Sequence, residues 1–131
     1  MNENLTIYLC GNPLLPFDSL PLKFKSRLER AFPNICFKEL DPNENLKPIN
    51  KELVIIDTIE GIDEVKIITD IDQIQVTRLY SMHDFDLGFN LKLLKKIGAL
   101  EKITIFGVPM KGDEEKILSQ LITELSSVIP N

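Results

Sequence analysis

Five short apolar runs, each ended by turn-forming or charged residues, alternate along the chain with segments whose apolar positions recur at helical spacing. Leu5 to Cys10 reads as a mostly buried strand, stopped by Gly11-Asn12-Pro13. Beyond a loop to Asp18, the spacing of Phe24, Leu28, Ala31 and Phe32 predicts a helix from about Leu20 to Phe32. Asp18 or Ser19 would cap it, Pro21 fits its first turn, and Pro33-Asn34 ends it. Ile35 to Leu40 predicts a second strand, and the polar, proline-containing stretch Asp41 to Lys51 a connection.

Leu53-Val54-Ile55-Ile56-Asp57 is the strongest strand signal. Its unbroken aliphatic run suits a central parallel strand covered on both faces, closed by a carboxylate. Val65 to Ile68 predicts a shorter strand, and Asp70 to Ser81, without a clear period, a loop. Asp84 to Ile97 predicts a helix with Leu87, Leu91 and Leu94 on one face, Lys92, Lys95 and Lys96 toward its C-terminus and Gly98 as C-cap. Ile103 to Val108 predicts the last strand. Asp113 to Val128 predicts an amphipathic helix with an acidic start and Leu118, Leu121, Ile122, Leu125 and Val128 facing inward. Strands alternating with helices in this way predict a three-layer α/β fold, a mainly parallel twisted sheet of about five strands flanked by helices.

Composition narrows the function classes. A chain of 131 residues, 44% hydrophobic and 27% charged, is sized for one domain with its own core. A net charge of -5 with scattered Lys and Arg argues against nucleic acid as the main partner. The apolar runs are far shorter than the ~20 residues of a membrane span, and no secretory leader pattern stands at the N-terminus, so a cytoplasmic location is expected. Cys10 and Cys36 each lie in an apolar run with no Cys-x-x-Cys pairing, and both are expected to be reduced core thiols.

Ligands of open α/β sheets bind outside the carboxyl ends of the strands, and on that rule three residues stand out. Asp18 lies in the loop after the first strand, Asp57 closes the central one, and His83, the single histidine, introduces the helix before the last strand. Two carboxylates and an imidazole form a mixed donor set suited to nickel or zinc, whereas calcium would want more oxygen ligands. Each residue also has a structural reading: Asp18 as a helix cap, Asp57 as a loop tether, His83 as a hydrogen-bonded residue near a helix start. No serine or cysteine nucleophile constellation is evident. Ser19 and Ser81 flank the candidate ligands and suit supporting hydrogen bonds instead.

The motifs around these three residues, taken in order, resemble the hydrogenase maturation endopeptidases, which process nickel-iron hydrogenase large subunits. Gly11-Asn12-Pro13-Leu14-Leu15 followed by Asp18 is similar to that family's opening Gly-Asn loop. Leu53 to Asp57 is similar to its central strand, Ser81-Met82-His83 with Leu87 to its Ser-x-His helix start, and Ile103 to Pro109 to its late strand and glycine turn. The resemblance implies the hydrogenase maturation protease fold and a nickel-recognition site at Asp18, Asp57 and His83. It also implies removal of a C-terminal extension from a large-subunit precursor once nickel, supplied by that substrate, is in place. A water polarised near the ion would serve as nucleophile, and the catalytic residues are not assigned. A monomer is expected.

The chain departs from the family pattern in two places. Phe17 replaces the loop's first acid, with Ser19 and Pro21 where glycines are common. Asp41-Pro42-Asn43-Glu44-Asn45-Leu46 lacks the usual Gly-Gly-Thr or Gly-Gly-Ser. These departures leave open a non-proteolytic maturation or assembly factor that binds the nickel-loaded partner without cutting it. A small α/β module without a metal is the third reading.

Overall fold

The computed structural model describes residues 5–10, 20–40, 48, 51–70 and 87–128. In chain order the elements are β1 (Thr6–Leu9), α1 (Leu20–Lys23), α2 (Lys25–Ala31), β2 (Cys36–Glu39), β3 (Glu52–Ile59), β4 (Lys66–Ile68), α3 (Leu87–Lys96), β5 (Lys102–Pro109) and α4 (Glu114–Val128).

The strands form a sheet in the order β2-β1-β3-β5-β4. Four are parallel, and β4 runs antiparallel to β5 along one edge. This is the expected five-stranded, mainly parallel α/β sheet with helices on both faces. From β1 the chain crosses to β2 on one side and then returns past β1 to β3 on the other, so the strand order reverses between β1 and β3.

Alternation along β3 and β5 sends side chains to two separate cores. Leu53, Ile55 and Ile59 of β3 join Tyr8, Ile103 and Ile105 under Leu91 of α3. Val54 and Ile56 join Ile7, Leu9, Phe106 and Val108 under α1, α2 and α4, through Leu20, Phe24, Leu28, Leu118, Leu121 and Leu125. Burial on both faces explains why Leu53 to Ile56 of β3 reads as a continuous aliphatic run.

Local chemistry ends the helices where the sequence indicates. Gly98, at φ +80°, closes α3, with Ala99 N–H donating to Leu94 O at 2.9 Å and Gly98 N–H to Lys95 O at 3.1 Å. That is a Schellman arrangement, which needs a left-handed residue at Gly98. Asp113 caps α4, its Oδ1 accepting from Glu115 N–H at 3.0 Å and Lys116 N–H at 3.4 Å.

Several expectations are corrected. The helix predicted from Leu20 to Phe32 is two pieces joined at Phe24, although Phe24 N–H to Leu20 O (3.1 Å) and Leu28 N–H to Phe24 O (2.9 Å) carry the helical pattern across the joint. Ala31 is exposed, and so is Val128, the last residue of α4. Cys36 is exposed, because β2 is an edge strand whose inward position is taken by Phe37. Cys10 is buried, and neither cysteine is in a disulfide. Cys36 pairs with Thr6, at the opposite end of β1 from Cys10. Among the described residues no helix is long and apolar enough to cross a membrane.

Candidate functional site

Asp57 is the candidate ligand that the described residues contain; Asp18 and His83 lie outside them, as do Phe17, Ser19, Ser81 and the Asp41 to Leu46 segment. The expectation that Asp57 closes its strand is corrected. β3 continues through Thr58 and Ile59, which pair with Val108 and Pro109 because β5 is equally long. The carboxylate nevertheless lies level with the end of β1. Leu9 pairs with Ile56, and Cys10 N–H donates to Ile56 O at 2.9 Å, which sets Cys10 opposite Asp57.

Asp57 therefore stands at the carboxyl end of β1, beside the reversal in strand order, where such sheets open a crevice for ligands. Its side chain alternates onto the face of Ile55 and Ile59, the face covered by α3. The turn after α3 brings Glu101 and Lys102 N–H onto Lys51 O, just ahead of β3, so the C-terminus of α3 is at the amino edge of the sheet. Its ten residues rise about 15 Å, which points its first residue, Leu87, toward the carboxyl edge. His83 precedes that helix by four positions in the sequence.

The carboxylate is 0% exposed. A carboxylate so deep in an aliphatic face is costly unless hydrogen-bonded or paired. Asp57 Oδ1 accepts from Thr58 N–H at 2.8 Å, the bond that orients it at the strand's edge. Thr58 turns to the opposite face, fully buried, and its Oγ1 has no hydrogen-bond partner among the described residues. Gly107, opposite Asp57 on β5, has no side chain, and Ile59 packs over it.

Among the described residues no three His, Cys, Asp or Glu side chains converge. A groove of about 400 Å³ lies between the turn after β3 and the start of α4, with Asp63, Glu64, Lys111, Asp113, Lys116 and Ile117 among its lining residues. It flanks α4 and does not include Asp57.

The fold has counterparts among solved structures. The chain is similar in fold to the endopeptidase HycI of Escherichia coli. Its structure in solution superposes with a TM-score of 0.67 over 97% of this chain and 92% of HycI, at 19% identity. A crystal structure of an uncharacterized protein from Wolinella succinogenes is also similar, with a TM-score of 0.60, 11% identity and 96% of each chain covered. No protein-family profile matches the sequence, and no curated protein does. The likeness to HycI is one of fold, a mostly parallel five-stranded sheet flanked by helices.

Cys10, expected from the sequence to be a reduced core thiol, stands beside Asp57 in the neighbouring strand. It follows the last residue of β1, whereas Asp57 lies inside β3, so only the register of the two strands sets them side by side.

Proposed function

We propose that the protein is an endopeptidase that removes the C-terminal extension of a nickel-iron hydrogenase large-subunit precursor after nickel insertion. Asp18, Asp57 and His83 would contact the nickel that the precursor brings. The observation that carries this reading is the buried carboxylate of Asp57 beside the strand-order reversal, in a chain whose fold is similar to that of an endopeptidase. Two carboxylates and an imidazole fit nickel by donor type, and a buried carboxylate regains in metal contact what it loses in hydration. Nickel arrives as part of the substrate, so the site tests whether loading is complete before the bond is cut.

The deciding experiment mixes purified protein with nickel-loaded and nickel-free precursor and weighs the products. Cleavage of the loaded form alone, lost in Asp57→Ala and His83→Ala, is the expected result. An intact precursor held in a stable complex would instead establish the non-proteolytic assembly factor that Phe17 and the glycine-free Asp41 to Leu46 segment favour. Neither cleavage nor complex would remove both readings.

A further inference from the structure

We infer that the groove between the turn after β3 and α4 holds an extended stretch of the substrate's C-terminal extension, with an acidic side chain of that stretch set against Lys111 and Lys116. The inference rests on the endopeptidase reading proposed above and adds the place where the substrate chain lies.

The groove opens at the edge of the sheet where Asp57 stands. β5 runs parallel to β3 and ends at Pro109, so Lys111 and the start of α4 lie at the carboxyl edge. β4 runs the other way, with Lys66 level with Gly107 and Gly107 with Asp57, which sets Asp63 and Glu64 at that edge too. Two strand spacings, roughly 10 Å, separate Asp57 from Lys66. A chain that passes Asp57 therefore reaches the groove within a few residues.

The length of the groove selects a chain as its occupant. A second hollow of about 210 Å³ shares Glu64 and Gln120 with the groove of about 400 Å³ and carries it on past Ser119 and Thr123 to Glu124. The α4 wall is a stripe at three- and four-residue spacing, through Asp113, Lys116, Gln120 and Thr123. From Asp113 to Glu124 the helix rises roughly 16 Å, the span of about five extended residues, whereas a single amino acid would fill one end. Val65 N–H donates to Gln120 Oε1 at 3.2 Å, which ties the two walls together midway. A C-terminal extension is free chain and can lie extended in such a groove; the folded body of a subunit cannot.

Charge sets the polarity of that chain. Glu114 and Glu115, in the first turn of α4, are paired with Lys23 and Arg27 on the side of α1 and α2. The groove side of the same end carries Lys111 and Lys116. Asp63 and Glu64 stand on the facing wall, and among the described residues no ion pair joins either lysine to either carboxylate. The lysines are thus left to meet an acidic side chain, and the facing carboxylates suit the N–H donors of the same chain. Ile117, 4% exposed, lines the groove with apolar surface for a neighbouring side chain.

The test follows cleavage of the nickel-loaded precursor at varied concentration by unaltered protein, by Lys111→Glu/Lys116→Glu and by Lys92→Glu/Lys95→Glu. The last makes the same charge change at exposed positions of α3, away from the groove. In the groove variant KM is expected to rise roughly five- to tenfold with kcat unchanged, because contacts remote from the bond hold substrate and transition state alike. The rise shrinks with added salt, and a precursor whose extension has an acidic residue changed to lysine reverses it. In the α3 variant KM stays within about twofold of the unaltered protein. An unchanged KM in the groove variant, or an equal rise in both variants, overturns the groove as the place of the extension and leaves the endopeptidase reading standing. Absence of cleavage by the unaltered protein overturns both.

Discussion

The side chain of Ile59 lies across Gly107, so that a methyl group placed on Gly107 would overlap Ile59 Cδ1 and approach Cγ1 to 2.5 Å. The two residues belong to neighbouring central strands and share the face on which Asp57 sits. The glycine is required by this close approach, because the β-branched isoleucine has little freedom to swing away in a packed core. Gly107→Ala is expected to destabilise the protein by about 1–3 kcal/mol through overpacking. Urea denaturation checks this, and Gly107→Ala/Ile59→Ala should cost less than the sum of the single changes. Strict additivity would mean that the two side chains do not compete for the space.

Thr58 carries the opposite kind of cost. Its hydroxyl is buried without a hydrogen-bond partner among the described residues, next to the residue whose carboxylate its own amide orients. Replacing an orphaned hydroxyl by a methyl removes a desolvation penalty while keeping the branched shape. Thr58→Val is therefore expected to raise stability by about 1 kcal/mol. A loss of stability would show that the hydroxyl has a partner in solution, such as a bound water.

How much of this could be read from the sequence differs by element. The central strand β3 was legible because burial on both faces imposes an unbroken aliphatic run, as in Leu53 to Ile56. The cap at Gly98 was legible because few residues other than glycine adopt its positive φ. The antiparallel sense of β4 was not, since Lys66–Ile68 is too short to carry a direction in its pattern. Nor was the extension of β3 past Asp57, where a carboxylate resembles a strand end although pairing with β5 carries the ladder two residues further. The candidate site reads in the sequence as residue types in order, and of the three Asp57 lies among the described residues. The pairing of Cys10 with Asp57 depends on register, which no single strand contains.

The two thiols differ in access, which gives a direct check on the edge position of β2. Cys36 is exposed, whereas Cys10 is 2% exposed beneath α3. Brief alkylation of the native, metal-free protein should label Cys36 alone, with Cys10 reacting only on unfolding. Mass mapping of the labelled peptides reads this out. Rapid labelling of Cys10 would mean that the crevice beside Asp57 opens readily in solution.

Arg27 of α2 and Glu115 of α4 form a two-pronged ion pair, Nη1 to Oε2 at 2.6 Å and Nη2 to Oε1 at 2.9 Å, between helices far apart in sequence. The hydrogen bonds from Arg27, and then its charge, hold the Glu115 carboxyl below the ordinary glutamate range. A carboxyl depressed in the folded state stabilises the fold above its unfolded pKa, and that contribution fades as pH falls through the folded value. The effect thus belongs to the acidic window beneath the usual glutamate midpoint. Both side chains are substantially exposed, at 48% and 71%, so the contribution is small and shrinks with salt. Carboxyl-carbon NMR should place the Glu115 midpoint below that of a free glutamate at low salt. Arg27→Gln should return it upward, and added salt should narrow the difference. An unchanged midpoint in Arg27→Gln would mean that the pair is not populated in solution and that α2 and α4 are held together by their shared core alone.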